Sequence, residues 1–113
     1  MNGIRGAIAT VENTENDILK STKELFNTIV ENNNLDISKI VSVIFTVTND
    51  LDAVFPAKAL RELGYHQLSA IDTKAPNVVN DLKGCIRVLV TYKDEIEVTH
   101  TYLGEAKNLR PDR

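Results

Sequence analysis

The run IVSVIFTVT at residues 40–48 is the feature that most constrains the fold of this chain. It is rich in β-branched residues, which favour a pleated, half-buried strand. A second run, GCIRVLVTY at residues 84–92, is mostly small, apolar or aromatic and also predicts a buried strand. Two such strands in a chain of 113 residues predict one domain built around a sheet.

The rest of the sequence predicts two helices and three further strands. Thr14 is placed to cap the start of the first helix, and the run ENNN at residues 31–34 ends it. Pro56 and Gly64 mark the start and the stop of a second, short helix. We expect the three further strands at residues 3–11, 66–72 and 98–103. The strand of the second apolar run is expected to span residues 84–93. This order favours an α+β domain, with helices on one face of a sheet and an antiparallel hairpin at the end.

The composition argues against several classes of partner. A net charge of −3 gives no reason to expect nucleic acid or an anionic membrane. The single cysteine, Cys85, rules out an intrachain disulfide and a cysteine cluster for a metal, which suits a reducing compartment. No window approaches the ~18 apolar residues of a membrane span. We therefore expect a cytoplasmic protein that forms a single domain over residues 1–113, with a mobile tail from about residue 108.

Arg87 lies inside the second apolar run, with Cys85 and Leu89 on the same face of the strand. A guanidinium keeps its charge when it is buried, so an anion should meet it there. The sequence leaves two candidates open, which are a carboxylate of the protein itself and a bound ligand. Arg5 in the first strand and Arg61 on the short helix are, on pattern alone, ordinary solvated positions.

The inventory of catalytic groups is otherwise thin. His66 and His100 are isolated and lack the spacing of metal ligands, and Cys85 has no obvious base beside it. The chain has neither a glycine-rich phosphate loop nor a nucleophile elbow. An enzyme with this inventory would need neither a nucleophile nor a metal, and we expect no cofactor.

Five segments together resemble a known family. They follow the family's order at close to its spacing and are IRGA at 4–7, VFPAKALREL at 54–63, CIRVLV at 85–90, TYL at 101–103 and LRPD at 109–112. The chain resembles the small trimeric bacterial chorismate mutases of the non-helical class from Gly3 to Asp112. The resemblance implies that the mixed, largely antiparallel sheet assembles into a homotrimeric pseudo-α/β-barrel with clefts between subunits.

The same resemblance implies a reaction. The family converts chorismate to prephenate, on the route to phenylalanine and tyrosine, by a unimolecular Claisen rearrangement. The substrate carries two carboxylates, and negative charge builds on its ether oxygen as the C–O bond stretches. An enzyme for this step must hold the reactive conformer and place a cation beside that oxygen. A chain with placed arginines and few nucleophiles fits this requirement.

The resemblance also implies roles for single residues. Arg87 resembles the cation beside the ether oxygen, Arg5 an arginine that binds a substrate carboxylate, and Tyr102 a tyrosine that helps to hold that end. The wall supplied by a neighbouring subunit corresponds to Phe55, Ala57 and Lys58. The arginines at the rim of the cleft correspond to Arg61 and Arg110, and an apolar wall residue corresponds to Leu109.

One part of the family pattern is altered. A family glutamate that accepts a hydrogen bond from the ring hydroxyl corresponds to Ala75, and a family cysteine near that hydroxyl corresponds to Asp72. We expect Asp72 to supply the missing carboxylate, because a charge-assisted hydrogen bond contributes roughly 1.5–3 kcal/mol. Two other interpretations stay open. One is a trimer that binds chorismate-like dicarboxylates without turnover, and the other is a trimeric imine or enamine deaminase, against which the segment 54–63 argues.

Overall fold

The computed structural model describes residues 1–108. The predicted site residues Leu109 and Arg110, and the rest of the predicted tail, lie outside the described residues. The elements are strands β1 (Asn2–Ile8), β2 (Ile40–Val47), β3 (Ala70–Lys74), β4 (Ile86–Tyr92) and β5 (Thr101–Leu103), helices α1 (Glu15–Asn33) and α2 (Lys58–Glu62), and 3₁₀ helices at Ile37–Lys39 and Gly104–Asn108.

The five strands form one mixed sheet in the order β3-β2-β4-β1-β5. Strand β4 is antiparallel to both of its neighbours, β1 and β2, whereas the outer pairs β2–β3 and β1–β5 are parallel. The predicted α+β class with a mixed, largely antiparallel sheet is confirmed. The predicted hairpin at the end is wrong, because β1 and β2 already occupy both edges of β4, and β5 pairs in parallel with β1 instead.

Helix α1 covers one face of the sheet. The Thr14 hydroxyl accepts the Asp17 N–H at 3.1 Å, and Asn34 ends the helix in the left-handed conformation with φ 50°. Both ends therefore lie where the sequence predicts them. The buried side of the helix packs on alternate residues of the central strands, and the fully buried members of this core include Ile18, Leu25, Phe26, Ile29, Ile4, Val43, Phe45 and Val90.

All five predicted strands differ in their bounds, and three of them differ by three residues or more at one end. Strand β1 ends at Ile8, and Thr10 adopts a φ of 60° that an extended strand does not allow. Strand β3 starts only at Ala70, because the chain first turns where the Leu68 N–H donates to the Tyr65 carbonyl at 3.4 Å. Strand β5 is reduced to Thr101–Leu103.

Gly84 fixes the point at which β4 begins. Its φ is +59°, and a Cβ at this position would collide with the Val11 carbonyl oxygen. The Gly84 N–H donates to the Asp50 carboxylate at 2.7 Å, and its carbonyl accepts the Val11 N–H at 2.9 Å. This close crossing of two chain segments sets the position of every side chain on β4.

Within residues 1–108, no helix combines the length and the apolar character that a membrane crossing would need. The same residues contain no group of three or more His, Cys, Asp or Glu side chains that could hold a metal ion.

Candidate active site

The face of the sheet opposite α1 carries the arginines that the sequence singles out. Paired residues on neighbouring strands point to the same face, so the register places side chains in rows across the sheet. Two adjacent rows lie on this open face. They are Ile71, Ile44, Leu89 and Arg5 in one row, and Thr73, Thr46, Arg87, Ala7 and Tyr102 in the next.

Side chains of these rows line a pocket of about 580 Å³. Arg5, Arg87 and Tyr102 all belong to its walls, together with Thr46 and Leu89. The volume lies within the usual range for sites that bind small molecules. One chain therefore brings together three of the residues for which the family resemblance implies a catalytic or substrate-binding role. We call this site the cation pocket and define it by Arg5, Asp81, Arg87 and Tyr102.

A cluster of small buried residues adjoins the cation pocket through Ala7 and Tyr102. Ala7, Ala9, Cys85 and Ala106 form a second buried cluster, against which Leu82 and Tyr102 pack. Cys85 is fully buried, and burial raises the pKa of its thiol. A buried thiol with a raised pKa is suited to packing rather than to nucleophilic attack.

Asp81 is the anion that meets Arg87. The Arg87 Nη2 atom lies 3.3 Å from both carboxylate oxygens of Asp81. The two side chains are 33% and 23% exposed, so this ion pair is partly shielded from solvent. Sequence reasoning missed Asp81, which lies six residues before Arg87 in an irregular connection. Its charge and its nearness to the strand that carries Arg87 were the available signals.

Arg5 is held beside His100. The Arg5 backbone N–H donates to His100 Nδ1 at 2.9 Å, which ties β1 to the segment before β5. Burial and, secondly, the Arg5 charge lower the pKa of His100, so a neutral imidazole is favoured next to this arginine.

Asp72 lies on the other face of the sheet. In the register it pairs with Phe45, whose side chain is fully buried beneath α1. Its carboxylate accepts the Ala57 N–H at 2.9 Å. Burial raises the pKa of Asp72, and the Ala57 N–H and the charge of Arg61 oppose that rise. Within one chain, Asp72 does not line the cation pocket.

A second pocket, of about 440 Å³, contains Asp72 and Phe55. The Phe55 side chain is 72% exposed, whereas Ala57 is buried and contributes chiefly its N–H. Lys58 forms an ion pair with Glu15, with 2.7 Å between Nζ and Oε1. The surface that comprises Phe55, Lys58, Arg61 and Asp72 is called the Phe55 surface below. None of these residues lines the cation pocket of the same chain.

The fold and the cation pocket define a class of protein. It is a small α+β protein that presents two arginines and a tyrosine on the open face of a mixed sheet. Such a pocket suits an organic ligand that carries carboxylates.

The comparisons with known proteins give the family. Residues 1–113 match the family described as chorismate mutase type I. The chain is 40% identical over 114 aligned residues to chorismate mutase AroH of Bacillus subtilis, with 97% of this chain and 90% of that protein covered. It is also 40% identical to chorismate mutase AroH of Thermus thermophilus, with 97% and 93% covered.

A solved structure agrees with these relatives. A chorismate mutase from Clostridium thermocellum is similar with a TM-score of 0.91 at 36% identity, over 95% of this chain and 98% of that chain. The chain therefore belongs to the type I chorismate mutase family. Its function is that of a chorismate mutase, an isomerase, and the family resemblance seen in the sequence is confirmed.

Proposed function

We propose that the cation pocket converts chorismate to prephenate by holding the compact conformer and stabilising the ether oxygen. The observation that carries this proposal is the convergence of Arg5, Arg87 and Tyr102 on one pocket of one chain. The reaction needs no proton transfer and no covalent intermediate. Positioning and electrostatic stabilisation therefore supply the whole rate enhancement.

Arg87 is proposed to lie beside the ether oxygen and one substrate carboxylate. It projects from β4, which is hydrogen-bonded on both sides, so its backbone is among the most constrained in the sheet. A preorganised donor aimed at developing charge contributes about 2.7–4 kcal/mol to transition-state stabilisation. We propose this as the largest single contribution to catalysis.

Arg5 and Tyr102 are proposed to hold a carboxylate of the substrate. Tyr102 neighbours Ala7 in the register, and Arg5 projects two residues before Ala7 on the same face. A guanidinium and a phenol can together donate several hydrogen bonds to one carboxylate. This arrangement would fix the substrate while Arg87 acts on the breaking bond.

We infer that the site is completed by a second copy of this chain, in a homotrimer with clefts between subunits. Apolar side chains on the open sheet face stay exposed in one chain, with Ile71 at 61% and Leu89 at 40%. Phe55 is exposed to 72%. Exposed apolar residues that lie together mark interaction surfaces. The Phe55 surface would then form the facing wall of a neighbour's cation pocket.

Asp72 fits this arrangement only from the neighbouring subunit. Its carboxylate shares the second pocket with Phe55, so the same contact would carry both residues to the facing pocket. There it would accept the hydrogen bond from the ring hydroxyl, which Ala75 cannot do. The corresponding roles of Leu109 as an apolar wall and Arg110 at the rim are part of the same proposal. A cytoplasmic location is also proposed, since the one cysteine is buried and free.

Incubation of the purified protein with chorismate, followed by NMR, tests the function. We expect prephenate to accumulate well above the uncatalysed rate, and an Arg87→Ala protein prepared in the same way serves as the control. Calorimetric binding of chorismate without any prephenate would instead support the non-catalytic binder. Release of ammonia from an imine or enamine substrate would support the deaminase.

A further inference from the structure

Asp81 is a carboxylate in the cation pocket for which the proposed mechanism has no role. It lies in the connection between β3 and β4 and contacts Arg87 there. Among the residues that the structure describes, Asp81 is the only acidic residue that lines this pocket. Arg5 and Arg87 supply two positive charges, and Asp81 leaves a net charge that still favours a dianionic ligand.

The contact engages a single nitrogen of Arg87. Both Asp81 oxygens lie 3.3 Å from Nη2, whereas a fork-to-fork pair engages two nitrogens at shorter distances. Over residues 1–108, the Arg87 side chain makes no other hydrogen bond to the protein. The remaining N–H groups of the guanidinium can therefore bind a ligand while Asp81 keeps its contact.

Asp81 is itself fixed by the backbone. Its Oδ1 atom accepts the Leu82 N–H at 2.9 Å, and the Asp81 N–H donates to the Val78 carbonyl at 3.2 Å. Leu82 packs against the small buried cluster that adjoins the pocket. The carboxylate is therefore placed by a local turn and by packing before any ligand arrives.

We propose that Asp81 is a positioning residue for Arg87. It holds the guanidinium through Nη2 alone and leaves the other donors for the substrate. This inference takes one assumption from the proposed function, which is that Arg87 acts on the substrate. The orientation of Arg87 in the free protein does not depend on the reaction.

Removal of the Asp81 carboxylate should lower kcat without raising KM. In Asp81→Ala the guanidinium loses its anchor, and a misplacement of about 1 Å can cost up to ~100-fold in rate. We expect kcat to fall at least about tenfold on this basis. KM should not rise, because one negative charge fewer in the pocket strengthens the attraction for a dianion. Asp81→Asn keeps an oxygen for both the Leu82 N–H and Nη2, and should recover most of kcat.

Asp94→Asn is the matched control. Asp94 also pairs with a cation, at 2.7 Å from Lys39 Nζ, and it lies just beyond the other end of β4. This variant removes the same charge and should leave kcat and KM unchanged. The proposal is overturned if Asp81→Ala keeps kcat within about twofold, or if Asp81→Asn loses as much kcat as Asp81→Ala.

Arg87 can also be observed directly by NMR of the ligand-free protein. Its Nε–Hε signal is assigned by its loss in Arg87→Lys. A rigid group has an order parameter near ~0.85, and we expect the Arg87 value to fall below about 0.6 in Asp81→Ala and to stay high in Asp81→Asn. An unchanged value in Asp81→Ala would overturn the positioning role even in an active enzyme. A lowered value in a protein without turnover would uphold that role and reject the proposed function.

Asp81→Ser provides the test if Asp81→Ala fails to fold. A serine hydroxyl can accept the Leu82 N–H and preserve the turn, but it is too short to reach Nη2. The Asp81→Ser protein should therefore show the same fall in kcat and in the Arg87 order parameter. Wild-type values for both quantities would contradict the proposal.

Discussion

The cation pocket and the Phe55 surface differ in what one chain can assemble alone. In the cation pocket, strand register places Arg5, Arg87 and Tyr102 around a shared volume, and Asp81 already contacts Arg87. On the Phe55 surface, the Phe55 side chain is exposed, and the pocket that it lines with Asp72 contains none of the residues proposed to act from the cation pocket. The difference indicates that the charged groups of the cation pocket are placed within one subunit, whereas in the proposed trimer the enclosure of the substrate would depend on assembly.

The two regions also differ in how their backbone is fixed. The pocket rests on strands in the centre of the sheet and on the crossing at Gly84. The Phe55 surface rests on a five-residue helix and on β3 at the edge of the sheet. Central strands restrict side chains more than short edge elements do. Substitutions in the pocket should therefore affect chemistry most, and substitutions on the Phe55 surface should affect assembly and binding.

The largest effect is expected for Arg87→Ala. Loss of one donor aimed at developing charge costs about 10²–10³ in kcat, and a neutral isostere, Arg87→Gln, should fail as well because charge is required. Steady-state kinetics with chorismate measures this loss. Arg61→Ala, which removes an arginine from the Phe55 surface, should cost much less. Equal losses in the two variants would contradict the distinction between the regions.

Arg5→Ala should have the next largest effect on activity. A hydrogen bond to a charged group contributes roughly 1.5–3 kcal/mol, which corresponds to about 10–150-fold in kcat/KM. Most of this loss should appear in KM, because Arg5 is proposed to bind a carboxylate in both the ground state and the transition state. Arg5→Lys should recover part of the affinity. A fall in kcat alone would show that Arg5 acts on the breaking bond instead.

Two glycine substitutions compare the backbones of the two regions. Gly84→Ala combines a positive φ with a collision against backbone, and should lower the free energy of unfolding by roughly 1–3 kcal/mol or more. Gly64, after α2, has a φ of +91° but open space where a Cβ would lie, so Gly64→Ala carries the conformational strain alone. Urea denaturation should rank Gly84→Ala as the less stable variant. The reverse order would mean that the crossing at the start of β4 does not fix this strand.

The smallest effect is expected from Asp72→Asn on stability. Burial raises the pKa of Asp72, so the folded state binds its proton more tightly than the unfolded state does. This group therefore makes the wild type less stable as the pH rises through that pKa. Relative to Asp72→Asn, the wild type should lose stability from acidic to neutral pH, as measured by thermal unfolding. A difference that is constant over this range would contradict the pKa shift.

Much of the fold, and the sheet face on which Arg5 and Arg87 lie, follow from sequence patterns, whereas the roles of the site residues come from the family resemblance. Alternation in the first strand predicts that Arg5 and Ala7 share a face, and the apolar run around Arg87 predicts a buried strand. Both features are local, and the structure places these residues on one open face. Thr14 and Asn34 likewise end α1 through hydrogen bonds to near neighbours.

The features that could not be predicted depend on contacts between distant segments. The parallel pairing of β5 with β1 follows from the occupied edges of β4, which no local pattern reveals. Asp81 becomes a partner of Arg87 only through a turn without periodicity. Asp72 lies on the helix side because its register is set by β2, and a shift of one residue would have turned it to the other face.

Subunit complementation shows whether one cleft combines the cation pocket of one chain with the Phe55 surface of another. We expect Arg87→Ala to lose nearly all activity, and we expect the double variant Phe55→Ala/Arg61→Ala, which removes two contacts at once, to lose most of it on the other surface. After joint unfolding and refolding in equal amounts, random assembly into closed rings should give about one intact cleft in four. We therefore expect about a quarter of wild-type activity to return in the mixture. Activity no higher than the sum of the two separate variants would contradict a cleft shared between subunits.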